Sequence, residues 1–314
     1  MNFSWPSLVA VALGYLITLF LTAFFAEKGK LPERWVKHPM VYVLAFGVSC
    51  SSWAFYGAVG MAYELQHGYM SFYIGLTTLL LFSAIIIRPL FRLAKNHQLS
   101  SLADLFAFRY RSRWAGLITA GGVFLAILPL LALQIQAITD VIVILDPHAH
   151  TRTIAGIISL ILLYMTILFS TRDIKPTEKH PGLLFALAVE ALFKLGIFLA
   201  IGYMAVTRLN GGFGEIENWM RSAPINFHTF NPELKVSQWA SLILLFVSAP
   251  LVLPHLFQIL FRENTKDHRL RMITWAAPIY LFLMALPVLP IMWAGIRTGS
   301  SLNPEYFTQR WFGD

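Results

Sequence analysis

The apolar stretch Phe246-Val-Ser-Ala-Pro-Leu-Val-Leu-Pro-His-Leu-Phe-Gln-Ile-Leu-Phe261 carries two prolines in the middle of what reads as a membrane helix. Each proline removes a backbone N–H donor, and an interior proline costs a helix about 3 kcal/mol. Hydrocarbon offers no water to satisfy the carbonyl groups that lose their donor. The stretch therefore predicts an interrupted membrane helix, with loosened main chain around Pro250, Pro254 and the adjacent His255.

The composition of the whole chain places this stretch in a membrane protein. Of the 314 residues, 57% are hydrophobic and 13% are charged, whereas soluble domains carry about 25% charged residues. Cys50 is the only cysteine, so the chain forms no disulfide within itself. Both observations exclude a disulfide-stapled or highly charged soluble fold.

Eight segments are apolar over the length that crosses a bilayer, which is about 20 residues for a helix. We predict an all-α integral membrane protein with about eight transmembrane helices and the lipid bilayer as its main partner. The predicted spans are Ser7–Ala26, Met40–Met61, Tyr69–Leu90, Trp114–Ile138, Thr153–Phe169, Gly182–Val206, Gln238–Phe261 and Ile273–Ile296.

The basic residues predict how these spans are oriented. Of the 24 Lys and Arg residues, 17 lie in or beside the connections after the first, third, fifth and seventh spans. Cytoplasmic connections carry the excess of Lys and Arg, so the amino terminus is expected outside the cell. The net charge of +8 is then a consequence of topology, and no nucleic-acid partner is expected.

A second interruption is predicted in the second span. The stretch 46–60 places three glycines and a run of serines at mid-membrane depth. The second and seventh spans stand five helices apart, so they enter the membrane from opposite sides, as the first helices of two inverted repeats do. We therefore divide the single membrane domain, 1–314, into a leading helix at 7–26, a first five-helix repeat at 40–206, and two helices of an incomplete second repeat at 238–296.

Each of these features has a structural alternative. Glycine and serine in membrane helices also serve close packing, a proline kink is often only structural, and His255 can simply bond a carbonyl across the bundle. The pairing of both interruptions at the repeat distance favours a binding cavity between them. The solute site predicted there comprises Ser49, Ser51, Ser52, Trp53, Tyr56, Gly57, Pro250, Pro254, His255 and Gln258.

Four stretches of the chain resemble the sodium:solute symporter family. They are Ser100-Ser-Leu-Ala-Asp-Leu-Phe-Ala-Phe-Arg-Tyr110, Ala132-Leu-Gln-Ile-Gln-Ala-Ile138, Leu253-Pro-His-Leu-Phe-Gln-Ile-Leu-Phe-Arg262 and Ser51-Ser-Trp-Ala-Phe-Tyr-Gly-Ala-Val-Gly60. The resemblance implies a fold of two inverted five-helix repeats and alternating access to a small solute, for instance an amino acid. It covers nearly the whole chain.

Two stretches are similar to a narrower group, the symporter-like membrane regions fused to bacterial sensor histidine kinases. They are Ser52–Gly60 and Ser170-Thr-Arg-Asp-Ile-Lys-Pro-Thr-Glu-Lys-His-Pro-Gly-Leu-Leu-Phe-Ala-Leu-Ala-Val-Glu-Ala-Leu-Phe-Lys194. This resemblance implies the sensory input region of a two-component system, a multi-pass location in the bacterial inner membrane, and downstream kinase modules or a response regulator as partners. The 314 residues contain neither a phosphoacceptor-histidine helix nor a Gly-rich ATP lid, so no catalytic residue is assigned. We expect the chain to be part of a longer protein.

The symporter resemblance also implies a sodium site, which this sequence supplies only in part. The carbonyl oxygens of Gly47 or Cys50 and the hydroxyls of Ser49 and Ser51 are candidate ligands. The second span contains no carboxylate, and the hydroxyl-rich helix that completes the family's site lies beyond residue 314. Sodium is therefore expected only as an incompletely ligated ion, and no other cofactor or metal is predicted, since His148 and His150 alone are a weak ligand pair.

Glu190 and Lys194 are the predicted buried ion pair. Their spacing places both on one face of the sixth span, with the glutamate towards the amino terminus, which is the better order. A lone charge at mid-bilayer costs at least ~2.5 to 3.5 kcal/mol. The pair is either a proton or solute relay or a structural bridge. The sequence predicts that Glu190→Gln alone is more damaging than Glu190→Gln combined with Lys194→Met.

Three functions remain open from the sequence. The first is a solute-recognition and transport region that acts as the sensory input of a histidine kinase. The second is the amino-terminal part of a stand-alone sodium- or proton-coupled amino-acid symporter. The third is a membrane scaffold that has lost its ligand.

Overall fold

The computed structural model describes residues 5–145, 150–170, 180–209, 211–222, 235–264 and 267–297, together with Pro304 and Phe307. Two sequence predictions, the kinase-like stretch at 171–179 and His148, lie outside these residues. The regular secondary structure of the described ranges is helical throughout. The helices are α1 Trp5–Glu27, α2 Glu33–Val36, α3 Pro39–Ala45, α4 Ser52–Phe55, α5 Gly57–Leu65, α6 Met70–Leu81, α7 Ile87–His97, α8 Leu102–Tyr110, α9 Arg113–Leu145, α10 Thr151–Ser170, α11 Pro181–Met204, α12 Phe213–Ser222, α13 Val236–Val252, α14 Pro254–Phe257, α15 Asp267–Ala285 and α16 Val288–Arg297.

Several of these helices are long and apolar enough to cross a bilayer, which makes the chain an all-α membrane protein. Among the described residues, four are long and apolar enough without a sharp bend, namely Val9–Glu27, Arg113–Ile144, Pro181–Arg208 and Asp267–Arg297. The number rises to six if each of two bent pairs is one span. The remaining two predicted spans coincide with the shorter apolar helices Pro39–Ser49 and Thr151–Tyr164. A total of eight spans and the inverted repeat therefore stay predictions.

The seventh span is interrupted, but at one proline rather than two. Helix α13 continues through Pro250 to Val252, Leu253 is extended at φ −74° and ψ 118°, and α14 begins at Pro254. The two parts are bent by 60°. A residue before proline is disfavoured in the helical region, and Pro254 stands at the first helical position, where a missing N–H costs little. The prediction that Pro250 breaks the helix is wrong.

The predicted third span, Tyr69–Leu90, contains a sharp bend near its end. The helix that includes α6 stops at Ala84, and α7 leaves it at 68°. Helix α7 buries Ile87, Phe91 and Ala94 along one face, while Arg88 and Arg92 lie on its half-buried and exposed sides. This spacing is amphipathic, so α7 differs in character from the apolar helix that precedes it.

Both interrupted spans pack against other helices of the bundle. Helix α6 packs along α13, and α3 packs between α11 and α15. The closest approach is at Gly75, where a Cβ atom would lie 2.6 Å from the Cβ of Phe246. The absence of a side chain on Gly75 lets the two backbones come together, as small residues do in membrane bundles. The core thus holds the seventh span against the third.

Helix α8 is capped at its amino terminus by two serines and an aspartate. The Ser101 hydroxyl accepts a bond from the Asp104 N–H at 3.1 Å, and the Asp104 carboxylate accepts from the Ser100 N–H at 3.0 Å and the Ser100 hydroxyl at 2.6 Å. Partial burial would raise the pKa of Asp104, but the hydrogen bonds from Ser100 and Ser101 outweigh it and hold this pKa below its usual value. The cap is therefore anionic at neutral pH.

Ser101→Ala is expected to destabilise α8 by about 1 kcal/mol, the usual contribution of such a cap. Because the pKa of Asp104 is depressed, the cap should be complete above the unfolded-state pKa of about 3.9 and lost as pH falls through the lower folded value. Hydrogen exchange of the α8 amides at neutral and acid pH measures both effects. Equal exchange in the variant and the parent protein at neutral pH would show that the cap contributes nothing.

Candidate functional site

The second span is interrupted where the serine run lies. Helix α3 continues as a tighter turn through Phe46–Ser49, after which Cys50 has φ −84° and ψ 75° and Ser51 is extended at φ −77° and ψ −162°. Helix α4 is one turn long, and Tyr56 separates it from α5. Two consecutive non-helical residues leave backbone groups of this span without their usual helical partners.

The two interruptions lie next to each other. The turn Phe46–Ser49 is in contact with α14, directly after the break at Leu253. In α14, Leu256 and Phe257 are buried in the core, whereas His255 and the following Gln258 are exposed. The seventh span therefore presents apolar side chains and main chain to the interior. His255 and Gln258, which were predicted to line the solute site, lie on the exposed side of this span. Pro254 is half-buried between the two sides.

Gln134 of α9 joins the serines of the second span to the fourth span. Its amide oxygen accepts from the Ser52 N–H at 3.3 Å and from the Ser52 hydroxyl, and its amide nitrogen donates to the Ser51 hydroxyl at 3.1 Å. The partners lie 82 and 83 positions apart in the sequence. Gln134 is not among the predicted site residues. A glutamine in an apolar run nevertheless indicates a polar contact between membrane helices.

Lys194 reaches the first interruption from α11. Its ammonium donates to the Cys50 carbonyl at 3.0 Å and lies 3.2 Å from the Glu190 carboxylate. The Lys194 and Glu190 side chains are 15% and 25% exposed, so the predicted ion pair is confirmed as a largely buried pair. The carbonyl that was predicted to ligate sodium is thus bonded to a tethered cation of the protein itself.

Gly47 holds the turn against its neighbours. A Cβ atom at Gly47 would lie 2.8 Å from the Tyr280 ring and 2.9 Å from the Cβ of Ala191. Tyr280 of α15 in turn donates its hydroxyl to the Ala191 carbonyl at 3.2 Å. The turn is therefore fitted directly onto α11 and α15.

Ser49 carries a buried hydroxyl that is poorly matched. It makes no hydrogen bond to an oxygen or nitrogen of the described residues, and the Cys50 thiol beside it offers only a weak partner. A buried hydroxyl without a partner costs about 1–3 kcal/mol, so such atoms commonly bond a water or a ligand. This hydroxyl stands one residue before the interruption.

Aromatic rings close one side of the site. The Trp53 ring lies 4.6 Å from the Phe72 ring and 5.7 Å from the Phe246 ring, centroid to centroid. At Gly57 a Cβ atom would lie 2.5 Å from the Trp53 ring. Gly57 is therefore needed for the position of Trp53, and Tyr56 is half-buried beside it at the second irregularity of the span.

Beyond the interruptions, a buried arginine joins α15 to the start of the second span. Arg269 donates to the Tyr42 hydroxyl at 2.6 Å and to the Lys37 carbonyl at 3.2 Å, with its guanidinium 4.4 Å from the Tyr42 ring centroid. This contact ties the beginning of α15 to the beginning of the second span.

No metal-binding cluster accompanies these groups. Among the described residues, no three His, Cys, Asp or Glu side chains converge in a way that suits a metal ion. Nor does any protein-family model, curated protein or solved structure match the chain. The polar groups that the site offers are the serine hydroxyls, the Gln134 amide, the Lys194 ammonium and the backbone at the interruption.

Proposed function

We propose that the protein is a membrane solute-recognition region that binds a small polar solute between its two interrupted helices. The observation that carries this proposal is the contact between the Phe46–Ser49 turn and α14, with the buried and poorly matched Ser49 hydroxyl beside it. Solutes bind where interrupted helices face each other near the midplane of transport folds. A ligand oxygen or ammonium would supply the strong partner that Ser49 lacks.

The groups around the interruptions favour a solute with both donors and acceptors. Ser51, Ser52 and Gln134 offer hydroxyl and amide groups, and the Glu190–Lys194 pair offers one charge of each sign nearby. Trp53 adds an aromatic wall. Convergent polar groups beside aromatic rings are typical of small-molecule sites. An amino acid, which is small and zwitterionic, is the solute class that we propose.

The position of Lys194 also affects whether sodium can bind at the interruption. A free sodium ion would compete with the Lys194 ammonium for the Cys50 carbonyl, which this ammonium approaches to 3.0 Å. We propose that the tethered ammonium supplies the positive charge at the interruption and that solute binding does not require sodium. Replacing sodium by choline in a binding assay should then leave the apparent solute affinity unchanged.

The biological setting that we propose is the input region of a bacterial sensor histidine kinase. Its support is the likeness of 52–60 and 170–194 to the membrane regions of such kinases. Solute binding would favour one access state of the helix pair and pass this preference to cytoplasmic modules. Coding sequence downstream of residue 314 distinguishes this setting from a stand-alone carrier, because only the former contains a kinase core.

The solute site is tested by thermal unfolding of the purified chain with each proteinogenic amino acid in turn. At least one amino acid is expected to raise the midpoint of unfolding. Ser51→Ala should weaken that response about tenfold in concentration, since losing one buried hydrogen-bond partner costs about 1–3 kcal/mol. The matched control is Ser159→Ala, because the Ser159 hydroxyl bonds only the Ala155 carbonyl within α10.

A second variant tests the seventh span. Pro254→Ala should weaken the same response while leaving membrane insertion intact, because alanine lets the helix continue through the break at Leu253. If no amino acid stabilises the parent protein, the proposed solute class is wrong. If Ser51→Ala and Ser159→Ala respond equally to a stabilising amino acid, that amino acid binds elsewhere.

A further inference from the structure

Three arginines converge on one small cavity away from the interrupted helices. The cavity lies between α7 and the start of α15, has a volume of about 30 Å³, and is lined by Arg88, Phe91, Arg92, Asp267, Leu270 and Arg271. Phe91 and Leu270 are each only 1% exposed and form its apolar base. The charged groups stand above this base, with Arg88 half-buried and the other three exposed.

The charges around this cavity are not balanced within the described part of the chain. The ion pairs found there involve other residues, and none joins Asp267 to Arg88, Arg92 or Arg271. Three guanidinium groups against one carboxylate leave an excess of two positive charges. Like charges held close together repel each other, and an anion between them would offset that repulsion.

The size and chemistry of the cavity define the anion. A space of about 30 Å³ holds roughly two water-sized groups, so two oxygens of a tetrahedral anion fit inside it and the rest of the anion would stay at its exposed mouth. Guanidinium groups form paired bonds with phosphate oxygens in a fixed planar geometry. We infer that the Arg88–Arg92–Arg271 cluster binds a phosphate group.

The position of the cluster favours a phosphate that arrives with a lipid. Arg88 and Arg92 lie on the amphipathic helix that leaves the third span, on the side that the distribution of Lys and Arg predicts to be cytoplasmic. Basic pockets between membrane helices on this side bind anionic headgroups. Helix α7 also packs on the Gln258–Glu263 turn that continues α14. Phosphate binding would therefore stabilise the position of the inner half of the interrupted seventh span.

The test uses the full chain in nanodiscs of phosphatidylcholine with or without phosphatidylglycerol, and in detergent with or without inorganic phosphate. We expect phosphatidylglycerol to raise the unfolding midpoint and to remain bound in native mass spectra. The variant Arg88→Gln with Arg92→Gln and Arg271→Gln should retain this lipid at least about tenfold less well, since charge-assisted bonds contribute about 1.5–3 kcal/mol each. The charge-matched control is Arg109→Gln with Arg111→Gln and Arg113→Gln, all exposed residues of the same predicted face.

Asp267→Asn is expected to change phosphate binding in the opposite direction. Removing the only carboxylate that lines the cavity should strengthen phosphate binding several-fold, so the site can be tested even if the triple arginine variant fails to fold. Stabilisation by inorganic phosphate alone, lost in the triple variant, would identify a free-phosphate site with the same chemistry. Equal lipid retention by the triple variant and its charge-matched control, or no effect of Asp267→Asn on either probe, would overturn the assignment.

Discussion

Replacing Lys194 with methionine is expected to lower the free energy of unfolding by about 3–5 kcal/mol, the range for breaking a buried ion pair from one side. The substitution leaves the Glu190 carboxylate without its cation and the Cys50 carbonyl without its donor. Both groups then stay desolvated in the bundle. Thermal unfolding in detergent and the fraction of monodisperse protein measure the loss.

For the stability of Glu190→Gln, Lys194→Met and the double variant, the structure predicts a different order from the sequence. In Glu190→Gln, the Lys194 ammonium keeps the Cys50 carbonyl and gains the glutamine amide oxygen, so this change should be the mildest. Combining it with Lys194→Met removes the unpaired charge but still leaves the carbonyl unsatisfied. We therefore expect the double variant to lie between the two single ones. A double variant as stable as the parent protein would show that the Lys194–Cys50 bond contributes nothing.

Gly47→Ala is expected to cost about 1–3 kcal/mol, the usual range for overpacking a well-filled core. The added methyl group would stand 2.8 Å from the Tyr280 ring and 2.9 Å from the Cβ of Ala191. Neither neighbour is the free end of a flexible side chain, and the Tyr280 hydroxyl is bonded to the Ala191 carbonyl. The turn at the first interruption would have to move away from α11 and α15. Chemical or thermal unfolding reports the cost.

The matched control for this substitution is Gly122→Ala in α9. A Cβ atom at Gly122 would meet nothing within 4 Å, and alanine is favoured over glycine in a helix by up to about 1 kcal/mol. Gly122→Ala should therefore be neutral or stabilising. If Gly47→Ala behaves like Gly122→Ala, the turn is not packed as closely as described. Solute binding should also weaken in Gly47→Ala, because the turn carries Ser49.

The positions of the interruptions were predictable because their causes are local. A residue before proline avoids the helical region, which fixes the break at Leu253, and serine-rich sequence marked the break at Cys50–Ser51. Pro250 shows the limit of this rule, since α13 continues through it. The bend before α7 was missed because the apolar run continues past it, although the spacing of Arg88 and Arg92 already indicated an amphipathic helix.

The partners of the candidate site were not predictable in the same way. Lys194 and Cys50 lie 144 positions apart, and Gln134 lies 82 positions from Ser52. Which faces of distant helices meet is decided by packing across the whole bundle, and a single sequence shows only which residues share a face of one helix. Glu190 and Lys194 were paired from the sequence because their spacing is helical. Their third partner, a backbone carbonyl, has no sequence signal.

The central claim is that the two interruptions lie against each other, and disulfide cross-linking tests it most directly. In a Cys50→Ala background, Ser49→Cys is combined in turn with a cysteine at each position from Pro254 to Phe257, and the membranes are oxidised. A disulfide needs Cα atoms within about 7 Å. At least one of these pairs should form a disulfide rapidly, while Ser49→Cys with Ser159→Cys should not. Failure of all four pairs in folded protein, or equal cross-linking of the control pair, would contradict the account.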